Sequence, residues 1–118
     1  MRARDWCAEY FQAGDRVVYE RYTLRTKRPD LDEKWLMHLG QVLQYARVEE
    51  LAGRFVVVSS LECDRFFDRL SPYYDEDIQA VYRGLDNTHV LVREFRDREM
   101  VYGQPCIRVY APRAEAER

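Results

Sequence analysis

The chain has 118 residues, with 19 Lys and Arg against 21 Asp and Glu, which gives a formal net charge of -2. Hydrophobic residues make up 47% and charged residues 34%, a composition that excludes an intrinsically disordered chain and one built of membrane spans. No apolar run approaches the roughly 18 residues of a transmembrane helix, and the charged N-terminus lacks the apolar stretch of a signal peptide. We therefore expect one cytoplasmic domain over residues 1–118, without membrane contact and with loose ends at residues 1–4 and 112–118.

The balance of charges also bears on the partners of the protein. A general nucleic-acid binder draws most of its affinity from a basic excess, so this class is less favoured here. The basic residues are seventeen arginines together with Lys27 and Lys34. The cysteines, Cys7, Cys63 and Cys106, stand at wide spacings and form no CxxC pair, so we expect free thiols, no metal and no cofactor.

Two elements are predicted near the N-terminus. Trp6, Tyr10 and Phe11 fall on one face of a short helix, which is a candidate docking segment. Residues 16–26 alternate in the manner of a half-buried strand. Pro29 then ends the strand, because proline cannot extend a paired strand.

The next segment permits two interpretations. Apolar residues from Leu31 onward recur at helical spacing until Gly53, which predicts one long helix. In the alternative, Gly40 ends a short helix and residues 41–49 form a strand. The abundance of Gln, Leu, Ala, Arg and Glu favours the long helix.

The middle of the chain predicts a buried strand followed by a helix. Residues 54–60 contain the run Phe-Val-Val-Val, which is typical of a central strand covered on both faces. Ser59 and Glu62 have the spacing of a capping box, which predicts a helix from Leu61. The apolar stripe of this helix consists of Cys63, Phe66, Phe67 and Leu70.

A second helix and a hairpin complete the predicted elements. Ser71-Pro72 predicts the start of the helix, with Ser71 as its cap. Its buried stripe consists of Tyr74, Ile78, Val81, Tyr82 and Leu85. Residues 90–95 and 100–110 predict a hairpin around residues 96–99, and Pro105 indicates an edge strand or a bulge.

These elements predict an α+β fold. We expect a two-layer sandwich, with a mainly antiparallel sheet and helices packed on one of its faces. If residues 41–49 form a strand, the order becomes βαββαβ with one further strand, which resembles a ferredoxin-like arrangement. Many unrelated functions share that arrangement, so it implies none of them.

One group of polar residues is a candidate binding surface on the predicted sheet. If the strands pair as expected, arginines and tyrosines share one face, where they offer phosphate contacts and stacking. This Arg/Tyr face consists of Tyr19, Arg21, Arg25, Arg93, Tyr102, Arg108 and Tyr110. The alternative is that Arg, Tyr and Glu form the ordinary cross-strand pairs of a solvated sheet surface.

Other constellations give weaker indications. The acidic run from Asp75 to Asp77 suits a divalent cation, but it also suits the first turn of a helix. No spacing directs His38 or His89 toward a cysteine, and no hydrolase or nucleotide-binding motif occurs.

The function that the sequence favours is therefore a small non-catalytic protein-interaction or regulatory module. Tyr, Trp and Arg are enriched in interface hot spots, and this chain is rich in Tyr and Arg, so we expect self-association as a homo-oligomer or a protein partner. The first alternative is a nucleic-acid or phosphate-ligand binder that uses the Arg/Tyr face. The second is a small enzyme whose site is assembled from distant segments.

Overall fold

The computed structural model describes residues 2–21, 23–41, 51–96 and 106–117, with the side chains of residues 61 and 62 left out. Within these residues the chain forms an α+β fold with a five-stranded sheet. In chain order the elements are α1 (Ala3–Tyr10), β1 (Arg16–Glu20), β2 (Asp32–Leu36), a 3₁₀ turn (Leu39–Gln41), β3 (Phe55–Ser59), α2 (Ser60–Phe67), α3 (Glu76–Thr88), β4 (His89–Phe95), β5 (Ile107–Pro112) and a second 3₁₀ turn (Arg113–Glu115).

The sheet is mixed, with the strand order β2-β1-β3-β5-β4. Strand β1 pairs in parallel with both β2 and β3, whereas β5 pairs antiparallel with β3 and β4. A mainly antiparallel sheet is therefore not confirmed, and neither is the ferredoxin-like arrangement. The reason is that β1 runs in the same direction as both of its neighbours, so only the two pairings of β5 are antiparallel.

Helices cover both faces of the sheet. Val18, Val56 and Val58 belong to a core cluster beneath α2 and α3. Val17 and Val57 face the other way, into a second cluster that includes Cys7 of α1. The expected arrangement with helices on one face only is not confirmed, because α1 packs on the opposite side.

Strand β3 bears out the prediction of a central strand. All five of its residues are buried, and its neighbours are β1 on one side and β5 on the other. An unbroken apolar run is required in this position because both faces of the strand pack against helices.

The long helix predicted from Leu31 is wrong for the first part of its length. Asp32–Leu36 form strand β2, and Leu39–Gln41 form a 3₁₀ turn. Pairing with β1 supplies the backbone hydrogen bonds of β2, so tertiary context overrides the local helix propensity. Residues 42–50 lie outside the described residues. For residues 41–49, the structure therefore decides between helix and strand only at Gln41, which lies in the 3₁₀ turn.

The first strand is shorter than the predicted residues 16–26. It ends at Glu20, whose carbonyl oxygen accepts a hydrogen bond of 2.6 Å from the Thr23 hydroxyl. A side-chain hydroxyl that takes a backbone acceptor in this way competes with the ladder of the sheet. Arg21 and Arg25 therefore lie in the loop after β1.

The two helices after β3 confirm most of the predicted apolar stripes. In α2, Phe66 is buried, and Cys63 and Phe67 pack against the same cluster. Leu70 is an exception, because the helix ends at Phe67 and leaves this side chain 94% exposed.

The start of α3 was predicted wrongly. The helix begins at Glu76, and Asp75 replaces the expected Ser71-Pro72 cap by accepting hydrogen bonds from the backbone N–H groups of Asp77 and Ile78. The buried side of the helix then includes Val81, Tyr82 and Leu85 as predicted, together with Gln79.

The antiparallel pairing of β4 with β5 confirms the two paired strands of the predicted hairpin. Strand β5 lies between β3 and β4, so it is not the edge strand that Pro105 indicated. Residues 97–105 lie outside the described residues. At the other end of the chain, the predicted short helix is present as α1, in which the rings of Trp6 and Tyr10 stack with their centroids 4.5 Å apart. The looseness of residues 1–4 and 112–118 and the single domain stay predictions.

Candidate binding groove

The residues of the predicted Arg/Tyr face do not share one surface. Tyr19 is fully buried on the α1 side of the sheet, and Tyr110 packs against the cluster on the α2 and α3 side. Arg21 and Arg25 lie beyond the end of β1, and Tyr102 lies outside the described residues. The expectation fails because the first strand, which was to carry three of these residues, ends at Glu20 and has both faces covered.

Arg93 and Arg108 lie in β4 and β5 and have ordinary partners there. The Arg93 guanidinium lies 5.3 Å from the ring centroid of Phe95. Arg108 Nε is 3.4 Å from Glu94 Oε2, and Arg96 Nε is 2.6 Å from the other oxygen of the same carboxylate. Arg96 is the main cause of the lowered pKa of Glu94. The pairing of Arg96 and Arg108 with Glu94 matches the alternative interpretation, in which opposite charges pair on a solvated sheet surface.

A groove opens instead at the carboxyl ends of β1 and β2. It has a volume of about 510 Å³, and Trp35 and Met37 line it beside Arg21 and Arg25. A second depression of about 330 Å³ shares three residues of the β1–β2 loop with it and adds side chains at the start of α1. We call the two together the basic groove. The carboxyl edge of parallel strands is where ligands bind in many open sheets.

Positive charge is concentrated around the basic groove. The cationic side chains that line it are Arg2, Arg4, Arg21, Arg25 and Lys27. Arg4 has a nearby carboxylate, since its Nε lies 3.9 Å from Asp5 Oδ1. Within the described ranges, no carboxylate forms an ion pair with Arg2, Arg25 or Lys27. The described side chains around the groove therefore give it a positive electrostatic potential.

The same groove exposes large apolar surface. Trp35 is 47% exposed and Met37 is 49% exposed, although both belong to residue types that are usually covered. The Trp35 ring stacks on Tyr19, with centroids 5.2 Å apart and an interplanar angle of 19°. The Arg25 guanidinium lies 5.3 Å from the same ring, within cation–π range. Charge and an aromatic surface are thus combined in one depression.

The loop that carries the groove is anchored to α1 by Arg28. Its guanidinium donates hydrogen bonds to the carbonyl oxygens of Ala8, at 3.0 Å, and of Phe11, at the end of α1. It also pairs with Asp30, and this contact lowers the pKa of the Asp30 carboxyl. Lys27 has a φ of 60°, a left-handed conformation that a non-glycine residue adopts only where its surroundings hold it.

Glu20 lies at the floor of the groove and is 1% exposed. Its carboxylate accepts hydrogen bonds from the backbone N–H of Leu39 at 2.8 Å, from that of Ser59 at 3.0 Å and from the Tyr82 hydroxyl. Burial, followed by the charge of Glu20, raises the pKa of the Tyr82 phenol. Glu20 therefore joins the ends of β1 and β3 to the first 3₁₀ turn and to α3.

Two of the cysteines are unsuited to act as nucleophiles. Burial raises the pKa of the Cys7 and Cys63 thiols to about 12, so both are protonated at neutral pH and are poor nucleophiles. The His38 ring lies 4.9 Å from that of Phe66, and His89 bonds to the carbonyl oxygen of Arg54, which precedes β3. Among the residues that the structure describes, no group of three or more His, Cys, Asp or Glu is arranged to hold a metal ion.

Comparison of the chain with known protein families, with curated proteins and with solved structures finds no match in any of the three. In the part of the chain that the structure describes, no helix has the length and apolar character needed to cross a membrane.

Sequence reasoning found only part of this groove. Arg21 and Arg25 were candidates, but Trp35 fell within the long helix predicted from Leu31 and Arg2 within a loose end. The groove becomes visible only when β2 folds back beside β1, which periodicity did not show. One signal was available, because residues 21–28 hold four arginine or lysine residues and no acidic residue.

Proposed function

We propose that the protein is a non-catalytic interaction module whose basic groove binds an acidic, partly apolar segment of a protein. The observation that carries this proposal is the placement of Arg25 beside the exposed Trp35 and Met37, with Lys27 in the adjoining depression. Neither cation forms an ion pair with a carboxylate among the described residues. Trp, Met and Arg are enriched at protein interfaces, and their combination suits a partner that brings both carboxylates and apolar side chains.

The second candidate is a nucleic-acid or phosphate ligand, which the same cations favour. Two features make it weaker than a protein segment. Tyr19 and Arg25 both lie against the Trp35 ring, which leaves less of that ring for a stacked base. The net charge of -2 also removes the long-range attraction on which general binding to a phosphate backbone depends.

A cytoplasmic location belongs to the same proposal. Cys7, Cys63 and Cys106 are all free thiols, which supports a reducing compartment.

The proposal is tested by fluorescence anisotropy with a labelled synthetic peptide that alternates Glu and Asp with Leu and Tyr. We expect the wild-type chain to bind it and the double variant Arg25→Glu/Lys27→Glu to bind about tenfold more weakly or worse, a loss of about 1.4 kcal/mol. Added salt should weaken the wild-type complex, because exposed charges are screened.

The matched control is Arg93→Glu/Arg96→Glu, which makes the same change in net charge at the other edge of the sheet. Binding by this control should stay within about twofold of the wild type. Equal loss in both variants would show a response to net charge alone and would contradict the proposal. Displacement of the peptide by a single-stranded oligouridylate that binds more tightly would instead favour the second candidate.

A further inference from the structure

Among the described residues, five large apolar side chains are exposed, and all of them except Leu91 in β4 lie in two patches. Two of them, Trp35 and Met37, lie in the basic groove. Two more, Leu70 at 94% exposure and Tyr73 at 56%, lie in the connection between α2 and α3. Single exposed apolar residues need no explanation, but adjacent ones mark interaction surfaces.

The second patch has the charge opposite to that of the groove. We call residues 68–77 the acidic loop, because they contain four acidic residues and only one basic residue, Arg69. Within the loop, Asp68 accepts a hydrogen bond from the Leu70 backbone N–H at 2.9 Å, and Asp75 caps α3. Glu76 and Asp77, in the first turn of α3, are exposed.

The acidic loop is held in a defined shape. Its last turn folds back to α2, where the backbone N–H of Asp75 donates to the carbonyl oxygen of Phe66 at 3.2 Å. The guanidinium of Arg65 lies 4.9 Å from the ring centroid of Tyr73. A preformed loop loses little conformational entropy when it docks.

The groove and the acidic loop lie toward the same end of the sheet. Met37 of the groove is followed by His38, whose ring lies 4.9 Å from that of Phe66 at the end of α2. Glu20, in the floor of the groove, bonds to the backbone of Ser59, from which α2 departs. Two complementary patches on one end of a molecule permit a reciprocal contact between two copies, in which each patch meets the other across a two-fold axis.

We infer that the occupant of the basic groove is a second copy of this chain, with the acidic loop of each copy docked in the groove of the other. This inference rests on the proposed function and names its partner. Carboxylates of Glu76 and Asp77 meet the cations around Arg25, and Leu70 covers the exposed surface of Trp35 and Met37. The pairing also accounts for a chain with a basic groove and yet a net charge of -2, because the acidic loop supplies opposite charge.

A charge exchange tests the inference by sedimentation velocity at low ionic strength. The groove variant is Arg25→Glu/Lys27→Glu, and the loop variant is Glu76→Lys/Asp77→Lys. Wild-type chain should be dimeric, and each variant alone should be monomeric, since its groove and loop then carry the same sign. An equimolar mixture of the two variants should form a heterodimer, because both contacts are again between opposite charges.

The possible results separate this inference from the proposed function. A monomeric wild type that still binds the synthetic acidic peptide would overturn the inference and leave the proposed function in place. A monomeric wild type that does not bind the peptide would overturn both. A loop variant that remains dimeric, or a mixture that remains monomeric, would also overturn the inference.

Far-UV circular dichroism checks that the charge variants are folded. A third variant, Leu70→Ala, tests the inference without any change of charge. Leu70→Ala removes a side chain that is 94% exposed, so the folded monomer does not depend on it. We expect its dimer dissociation constant to rise about tenfold, since the docked Leu70 buries apolar surface. An unchanged dissociation constant would contradict the placement of Leu70 in the groove.

Discussion

Glu20 shows how one buried residue organises this end of the molecule. Its carboxylate bonds to Leu39, Ser59 and Tyr82, which belong to three different elements. A buried charge is tolerated only when such donors surround it. The sequence did not indicate this role, because a glutamate in a strand predicted to be half exposed is expected to face water.

The variant Tyr82→Phe measures how much the hydrogen bonds to Glu20 contribute to the stability of the fold. The variant removes one hydrogen bond to a buried carboxylate and leaves the ring in place, so we expect the free energy of unfolding to fall by about 1.5–3 kcal/mol. Urea denaturation measures the change. The control is Tyr74→Phe, whose hydroxyl bonds to the exposed Glu76 and should cost less than about 0.5 kcal/mol. Equal losses would contradict the role assigned to Glu20.

His89 makes the stability depend on pH in a defined direction. Burial lowers its pKa below the ordinary value of 6.5, and the neutral ring is held by a 2.7 Å contact between Nε2 and the Arg54 carbonyl oxygen. The unfolded chain therefore binds more protons than the folded chain just below pH 6.5, so the free energy of unfolding falls as the pH drops from 7.5 to 5.5.

The variant His89→Gln keeps a hydrogen-bond donor and removes the titration. Urea denaturation of both proteins at pH 7.5 and pH 5.5 should show a smaller loss of stability for the variant than for the wild type. An identical pH dependence would mean that the pKa of His89 is the same in the folded and unfolded chains, and would contradict the lowered pKa.

Among the helices and strands, hydrophobic periodicity predicts some elements and misses others. Strand β3 and the stripe of α3 follow from their apolar patterns, because each pattern has only one geometry that buries it. Strand β2 was missed, since Leu31, Trp35 and Leu39 also satisfy helical spacing. Five residues are too few for alternation to outweigh that spacing, and the pairing with β1 is not a local property of the sequence.

The capping of α3 by Asp75 can be tested by substitution. Asp75→Ala removes the side chain that caps the helix, so we expect a loss of about 1 kcal/mol in the free energy of unfolding. The control Asp77→Ala lies in the same turn without a capping bond and should change stability by less than about 0.5 kcal/mol. Thermal denaturation of the two variants checks the difference. A smaller effect of Asp75→Ala than of Asp77→Ala would contradict the assignment of the cap.

At the scale of the whole molecule, the distribution of charge matters more than its sum. The sequence predicted Arg21 and Arg25 as candidate binding residues, but it placed them on a sheet face with Arg93 and Arg108. The fold separates the two pairs, because β1 ends at Glu20 and the connection to β2 carries Arg21 and Arg25 to the carboxyl edge. This crossover brings together Trp35, Met37 and the arginines at the start of α1. The spacing of these residues along the chain does not reveal it.

The proposed function places an acidic, partly apolar protein segment in the basic groove. Titration of isotopically labelled wild-type protein with the synthetic acidic peptide, followed by two-dimensional amide and indole NMR, tests this placement. Resonances of the Trp35 indole and of residues 21–27 should shift together and saturate, while the amides of β4, at the opposite edge of the sheet, stay in place. Saturable shifts confined to β4, or none at Trp35, would contradict the claim.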